Sequence, residues 1–260
     1  MPPESPVIAP LVQRQVWGDD DARFYLQGLQ QSDYAARLGG LLGAVLADTG
    51  SLLDVGAGAG TLPAAFLKDD AQWTAIEPND YLATELERLG ALRPVPPRVI
   101  RSVWQELGEL QLGQHESVLA ANMCGPLDDP VAFWERLAPF CTRTMVWTVP
   151  AQRGPRKACL SGALPASLHG EDETPAVELV LAALPASMQP DEVRYADWTF
   201  SFEFPDPEAA FAYFDHKFNP QGDAARAGAL RAHLQRTLQP TFRGVTARSP
   251  RKGACLVWHF

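Results

Sequence analysis

The sequence predicts a doubly wound α/β fold built on a mostly parallel sheet. The first reason is Ser51–Thr61, SLLDVGAGAGT, where a short apolar run (Leu52, Leu53, Val55) ends in a turn carrying Gly56, Gly58 and Gly60. A helix-like segment, Leu62–Lys68, follows at once. Strand, glycine turn and helix together set bare backbone against a nucleotide-like ligand. The second reason is a further apolar run, Gln72–Ile76, ending in the acid Glu77. The third is a contrast near the end of the chain. Trp198, Phe200, Phe202 and Phe204 alternate with polar residues, as in a strand with one open face, whereas Ala254–Phe260 is continuously apolar, as in a strand buried on both faces.

The remaining elements follow in order. The proline-rich start, 1–10, reads as loose chain. A helix over Ala22–Leu29 is expected, capped by Asp20 or Asp21, and a second over Ser32–Leu46 with Leu38, Leu41, Leu42 and Val45 on one face. After Glu77 comes a helix, Asp80–Leu89, stopped by Gly90, then a short strand, Arg98–Arg101. Glu116–Ala121 is the fourth strand and ends in Asn122-Met123-Cys124. Asp129-Pro130 opens a helix and Thr142–Val149 is the fifth strand. The stretch Gln152–Thr174 reads as a long loop, a length usual for functional segments. Thr174-Pro175, Asp206-Pro207 and Gly222-Asp223 each open a helix, and Pro240 ends the last one.

Composition sets the broad class. A chain of 260 residues with 46% hydrophobic content suits one α/β domain. Its first residues show no basic-then-apolar leader, and no apolar run reaches membrane-spanning length. Cys124, Cys141, Cys159 and Cys255 are scattered, so they read as reduced thiols of a cytoplasmic protein, and no metal site is expected. The net charge of −9 argues against the broad basic face that nucleic-acid binding requires.

The glycine turn narrows the ligand. A dinucleotide fingerprint would place glycine where Thr61 stands. Instead Asp54, Gly56, Gly58 and Gly60 form an acid-x-G-x-G-x-G pattern, and Glu77-Pro78-Asn79 supplies a second acid suited to a ribose diol. This combination resembles motifs I and II of the class I (Rossmann-like) S-adenosylmethionine-dependent methyltransferases. The resemblance runs by motif over roughly Leu41–Val149 and by pattern elsewhere. It implies seven strands, the last antiparallel between the fifth and sixth, with helices on both faces. It also implies a single domain made of a helical lid (1–46), a cofactor-binding core (47–150) and a second half (151–260) with an acceptor loop at 152–174 and a helical insert at 206–239.

By the same resemblance S-adenosylmethionine is the cofactor. Asp54, Gly56, Ala57, Gly58, Gly60, Glu77, Pro78, Trp104, Asn122 and Met123 would bind it, with Trp104 flanking the adenine. No acid directly follows the third strand, which departs from the commonest pattern. Trp17, Tyr25 and Tyr34 are placed to line the pocket from the lid. The acceptor side carries no motif. Asn122 does not stand in N-P-P-Y, and His169 and Tyr34 are the candidate catalytic groups. The expected activity is methyl transfer to a small molecule, with neither nucleic acid nor membrane as partner. RNA or protein methylation by the same core is the alternative, through a patch of Arg153, Arg156, Lys157, Arg243, Arg248, Arg251 and Lys252. A non-catalytic cofactor-binding partner protein is a further one.

Overall fold

The computed structural model describes residues 17–46, 48–123, 126–156 and 158–260. The readings of 1–10, Cys124 and Lys157 lie outside the described residues. One sheet runs through the molecule in the order β3-β2-β1-β4-β5-β8-β6. Its strands are β1 (Ser51–Val55), β2 (Gln72–Ile76), β3 (Arg98–Ile100), β4 (His115–Ala121), β5 (Cys141–Pro150), β6 (Glu192–Phe204), β7 (Gln239–Thr241) and β8 (Gly244–His259). β1 lies between β2 and β4 and is parallel to both. The strand order therefore reverses at β1/β4, where open α/β sheets bind ligands. β8 runs antiparallel between β5 and β6.

Helices cover both faces. They are α1 (Asp19–Gln30), α2 (Tyr34–Leu46), α3 (Pro63–Phe66), α4 (Asp80–Gly90), α5 (Pro130–Leu137), α6 (Ala166–His169), α7 (Ala176–Ala183), α8 (Pro207–Phe218) and α9 (Ala224–Thr237). Leu38, Leu42 and Leu46 of α2 pack with Leu52 and Leu86 on one face of the sheet. Phe133, Leu137, Val177 and Val180 of α5 and α7 pack with Leu53 and Val55 on the other. Local chemistry sets several boundaries. Asn79, Asp129, Asp206 and Asp223 each accept a backbone N–H as helix caps, and Pro130 and Pro207 fill first helical positions.

The structure corrects the sequence reading in four places. Among the described residues the sheet has eight strands rather than seven, because β7 pairs with the start of β8. β8 begins at Gly244, ten residues before the solidly apolar run, since its first half pairs with β6 and β7 rather than with β5. The helix after the glycine turn is a single turn, Pro63–Phe66. α1 starts at Asp19 behind Gly18, with no side-chain cap.

The long β6/β8 pair has a consequence for the site. Its β5-bound part ends at Gly253 opposite Pro150, so the remainder extends beyond the carboxyl ends of the parallel strands. There Phe24 of α1 stacks on Phe202 at 4.1 Å and on Tyr213 of α8 at 4.5 Å. The connector between α1 and α2 then closes the outer edge of β6. The N–H groups of Thr199, Ser201 and Glu203 donate to Asp33 Oδ1 (2.7 Å), Ser32 Oγ (2.9 Å) and Gln31 Oε1 (2.6 Å). Three consecutive side chains thus satisfy alternate edge amides as a neighbouring strand would.

This docking sets a size limit at Gly28 of α1, where an added Cβ would lie 2.0 Å from Phe200 Cζ. Gly28→Ala improves helix propensity yet is expected to destabilise the fold by about 1–3 kcal/mol through overpacking. Urea unfolding checks it, and an unchanged or raised midpoint would refute the close contact.

Candidate active site

At the carboxyl ends of β1, β2 and β4 lies a cavity of about 420 Å³. The glycine turn forms its floor. Gly56 N–H and Ala57 N–H both donate to Ile76 O, at 2.8 and 3.0 Å, which ties the turn to the end of β2. Gly58 has φ +57° and open space where a Cβ would stand, so backbone faces the cavity without a side chain.

Glu77 is the central charged group. Its Oε2 accepts from Gly58 N–H at 2.7 Å and its Oε1 from Asn79 N–H at 2.9 Å. It is buried, and burial raises its pKa while the two amides pull it back down. Asp54 stands beneath it and is 2% exposed. Burial, with the nearby charge of Glu77, pushes its pKa up to about 8. Asp54 Oδ2 is buried with no hydrogen-bond partner.

The far wall comes from β3 and the short 3₁₀ turn after it. Trp104 lines the cavity and meets Phe133 edge-on at 5.1 Å. Ser102 donates to Glu106 Oε2 at 2.6 Å, so an acid four residues beyond Ser102 folds back onto this wall. The roof is α1 and its approach, with Trp17, Tyr25, Leu26 and Leu29. Beside it Asn122, at φ +50°, donates from Nδ2 to Tyr34 Oη at 2.9 Å. Burial pushes the Tyr34 phenol well above its ordinary value, so it holds its proton.

Of the residues expected from sequence, Asp54, Gly56, Ala57, Gly58, Glu77, Pro78, Trp104, Asn122 and Met123 line the cavity, and so do Trp17, Tyr25 and Tyr34. Gly60 does not. Its φ is +76° and an added Cβ would meet Trp73 at 2.6 Å, so it serves close packing beneath the turn. His169 is also away from the cavity. It is buried, its Nδ1 accepts from Glu171 N–H at 3.0 Å, and its Nε2 faces Glu173 at 3.3 Å.

The 152–174 segment contributes no described residue to the lining. It wraps the buried guanidinium of Arg251, which donates to the carbonyls of Pro155, Ala158 and Cys159. A buried cation needs those acceptors, which makes the loop structural. The 206–239 insert likewise stays outside, with Phe214, Phe218, Leu230 and Leu234 in the core. From 17–46, Trp17 and α1 line the cavity, whereas α2 packs mainly in the core and contributes Tyr34 to the lining.

Sequence reasoning missed Gln105, Asp128 and Asp129 as lining residues. Gln105 Oε1 is buried without a partner. Its only sequence signal is its place beyond the third strand. Asp129 was legible as a helix cap and Asp128 carried no signal.

No family model matches the sequence, and no curated protein matches it. Solved structures do. A proposed type II methyltransferase from Anaeromyxobacter dehalogenans is 15% identical with a TM-score of 0.54, over 85% of this chain and 94% of its own. The chain has the fold of the class I S-adenosylmethionine-dependent methyltransferases. The YcgJ protein from Bacillus subtilis matches over 85% of this chain and 97% of its own, at 11% identity and a TM-score of 0.49. The magnesium protoporphyrin IX methyltransferase from Synechocystis, with S-adenosylmethionine bound, matches over 55% of this chain and 68% of its own, at 16% identity and a TM-score of 0.39. In this methyltransferase fold the cavity occupies the switch point of the sheet.

The Asp54 environment has a pH signature. Its unfolded pKa is about 4, and the folded value of about 8 means the folded chain holds the extra proton between them. Stability from this group is therefore full below about pH 4 and is lost as pH rises towards about 8. Relative to Asp54→Asn, the wild type is expected to lose stability between pH 5 and pH 8 in urea titrations. Parallel curves would contradict the burial of Asp54.

Proposed function

We propose that the protein transfers a methyl group from S-adenosylmethionine to a small, non-anionic molecule. One observation carries this reading. The described lining of the cavity holds four carboxylates (Asp54, Glu77, Asp128 and Asp129) and no Lys, Arg or His. A ligand with a sulfonium and an ammonium suits such a wall. A dinucleotide would bring its pyrophosphate to Asp54 and Glu77 with no cation to meet it.

The residues fit the cofactor. Asp54, with its unpartnered Oδ2, gains a counter-charge when an ammonium lies nearby, and the proton it holds is then released. Glu77 keeps its two amide donors and accepts the ribose hydroxyls on the remaining lone pairs of its carboxylate. Trp104, backed by Phe133, offers a face to the purine. When bound, S-adenosylmethionine supplies an activated methyl group on a sulfonium. The chain's own task is positioning, by Asn122 and Tyr34 beside the cavity and by α1 as a roof that excludes water. The acceptor enters on the side of Trp17 and Tyr25, where an apolar roof favours a compact, uncharged or cationic molecule.

Two members of the basic patch that RNA methylation would use are engaged elsewhere. Arg251 is buried in carbonyls, and Arg156 pairs with Asp172 at 2.6 Å.

Calorimetry tests the reading. S-adenosylmethionine and S-adenosylhomocysteine are expected to bind and NAD to fail. Glu77→Ala should weaken binding by about 1.5–3 kcal/mol, roughly ten- to hundredfold. Binding of NAD alone, or undiminished affinity of the variant, would overturn it.

A further inference from the structure

We propose that Asn79 is a positioning residue that couples closure of α1 over the cavity to the carboxylate of Glu77. The inference rests on reading the cavity as a cofactor site. Asn79 is 4% exposed and spends every polar group it has. Its N–H donates to Glu77 Oε1 at 2.9 Å, and its Oδ1 accepts from Leu82 N–H at 2.9 Å as the cap of α4. Its Nδ2 donates to the Trp17 carbonyl at 3.0 Å and to Asp19 Oδ1 at 3.3 Å.

Capping alone does not call for asparagine. Serine and aspartate cap as well, and neither carries an amide donor. What asparagine adds is the pair of N–H donors, and both go to the start of α1. That start matters for the cavity. Trp17 meets Tyr25 edge-on at 4.7 Å, and both line the roof. Holding the Trp17 carbonyl sets that aromatic pair in place.

The two ends of α1 are held differently. The far end is tied to β6 through Gln31, Ser32 and Asp33. The near end rests on a small apolar cluster of Ala22, Leu26 and Leu82, and on Arg23 lying 4.0 Å over the Tyr81 ring. The exposed Lys217–Asp21 pair adds little. Among the described residues the near end has fewer polar ties than the far end, and Asn79 supplies its buried one. Because Asn79 N–H and Glu77 Oε1 are bonded, a ligand that orders Glu77 orders the anchor of the roof. Cofactor binding thus steadies the acceptor wall.

Hydrogen exchange on the full chain tests this, with S-adenosylhomocysteine as the probe. In the wild type the probe should slow exchange at Ala22–Leu26. Asn79→Ser keeps the cap and the N–H to Glu77 but loses both donors. Without ligand its Ala22–Leu26 amides should exchange about tenfold faster than wild type, and the probe should no longer slow them. Probe affinity by calorimetry should stay within about threefold of wild type, and the unfolding midpoint should be retained. Asn79→Asp, which also caps and also lacks the donors, should behave alike if the serine variant folds poorly. Wild-type exchange rates at α1 in both variants, or ligand protection of α1 that persists in them, would overturn the proposal. Failure of the probe to bind wild type would overturn the cofactor reading instead. The ligand-free rates would then still decide whether Asn79 holds α1.

Discussion

The carboxylate of Glu77 is the joint on which the site depends. Its two oxygens take N–H groups from Gly58 and Asn79, that is, from the β1 turn and from the start of α4. A buried acid of this kind is tolerable only because both oxygens are met by donors. Removing it would leave Gly58 N–H and Asn79 N–H without their acceptor. Asp54 lies beneath with an unsatisfied oxygen and a raised pKa. Burial thus raises the pKa of both neighbouring acids. Perturbed acids of this sort concentrate at functional sites.

The rest of the fold serves this joint from a distance. β1, β2 and β4 bring Asp54, Glu77 and Asn122 to one edge of the sheet. The β6/β8 extension reaches past that edge and gives α1 an aromatic surface to rest on, with Phe24 against Phe202. The connector Gln31–Asp33 then seals the open strand edge. A roof built this way owes one end to the sheet and the other to Asn79.

Much of this was legible in the sequence, and the parts that were not share a physical reason. Asp54, Gly56, Gly58 and Glu77 could be read because each is forced by backbone geometry or by a short-range spacing from its strand. The order of β8 and β6 was legible in the contrast between a continuous and an alternating apolar run. What escaped depends on contacts far apart in the chain. Gly60 follows the same spacing as Gly58, yet only the position of Trp73 shows that it packs rather than binds. His169 carries no local sign that its Nδ1 accepts from Glu171 N–H. The 152–174 loop looked like an acceptor site because it is long, but Arg251, nearly a hundred residues on, organises it. Asn79 was read as part of a motif, and its bonds to Trp17 and Asp19 have no local signature.

A crystal structure of the complex with S-adenosylhomocysteine tests the central claim most directly. The account predicts the ribose hydroxyls within hydrogen-bond distance of both Glu77 oxygens, the ligand ammonium beside Asp54 and the purine against Trp104. A ligand bound elsewhere, or a ribose beyond hydrogen-bond reach of Glu77, would contradict it.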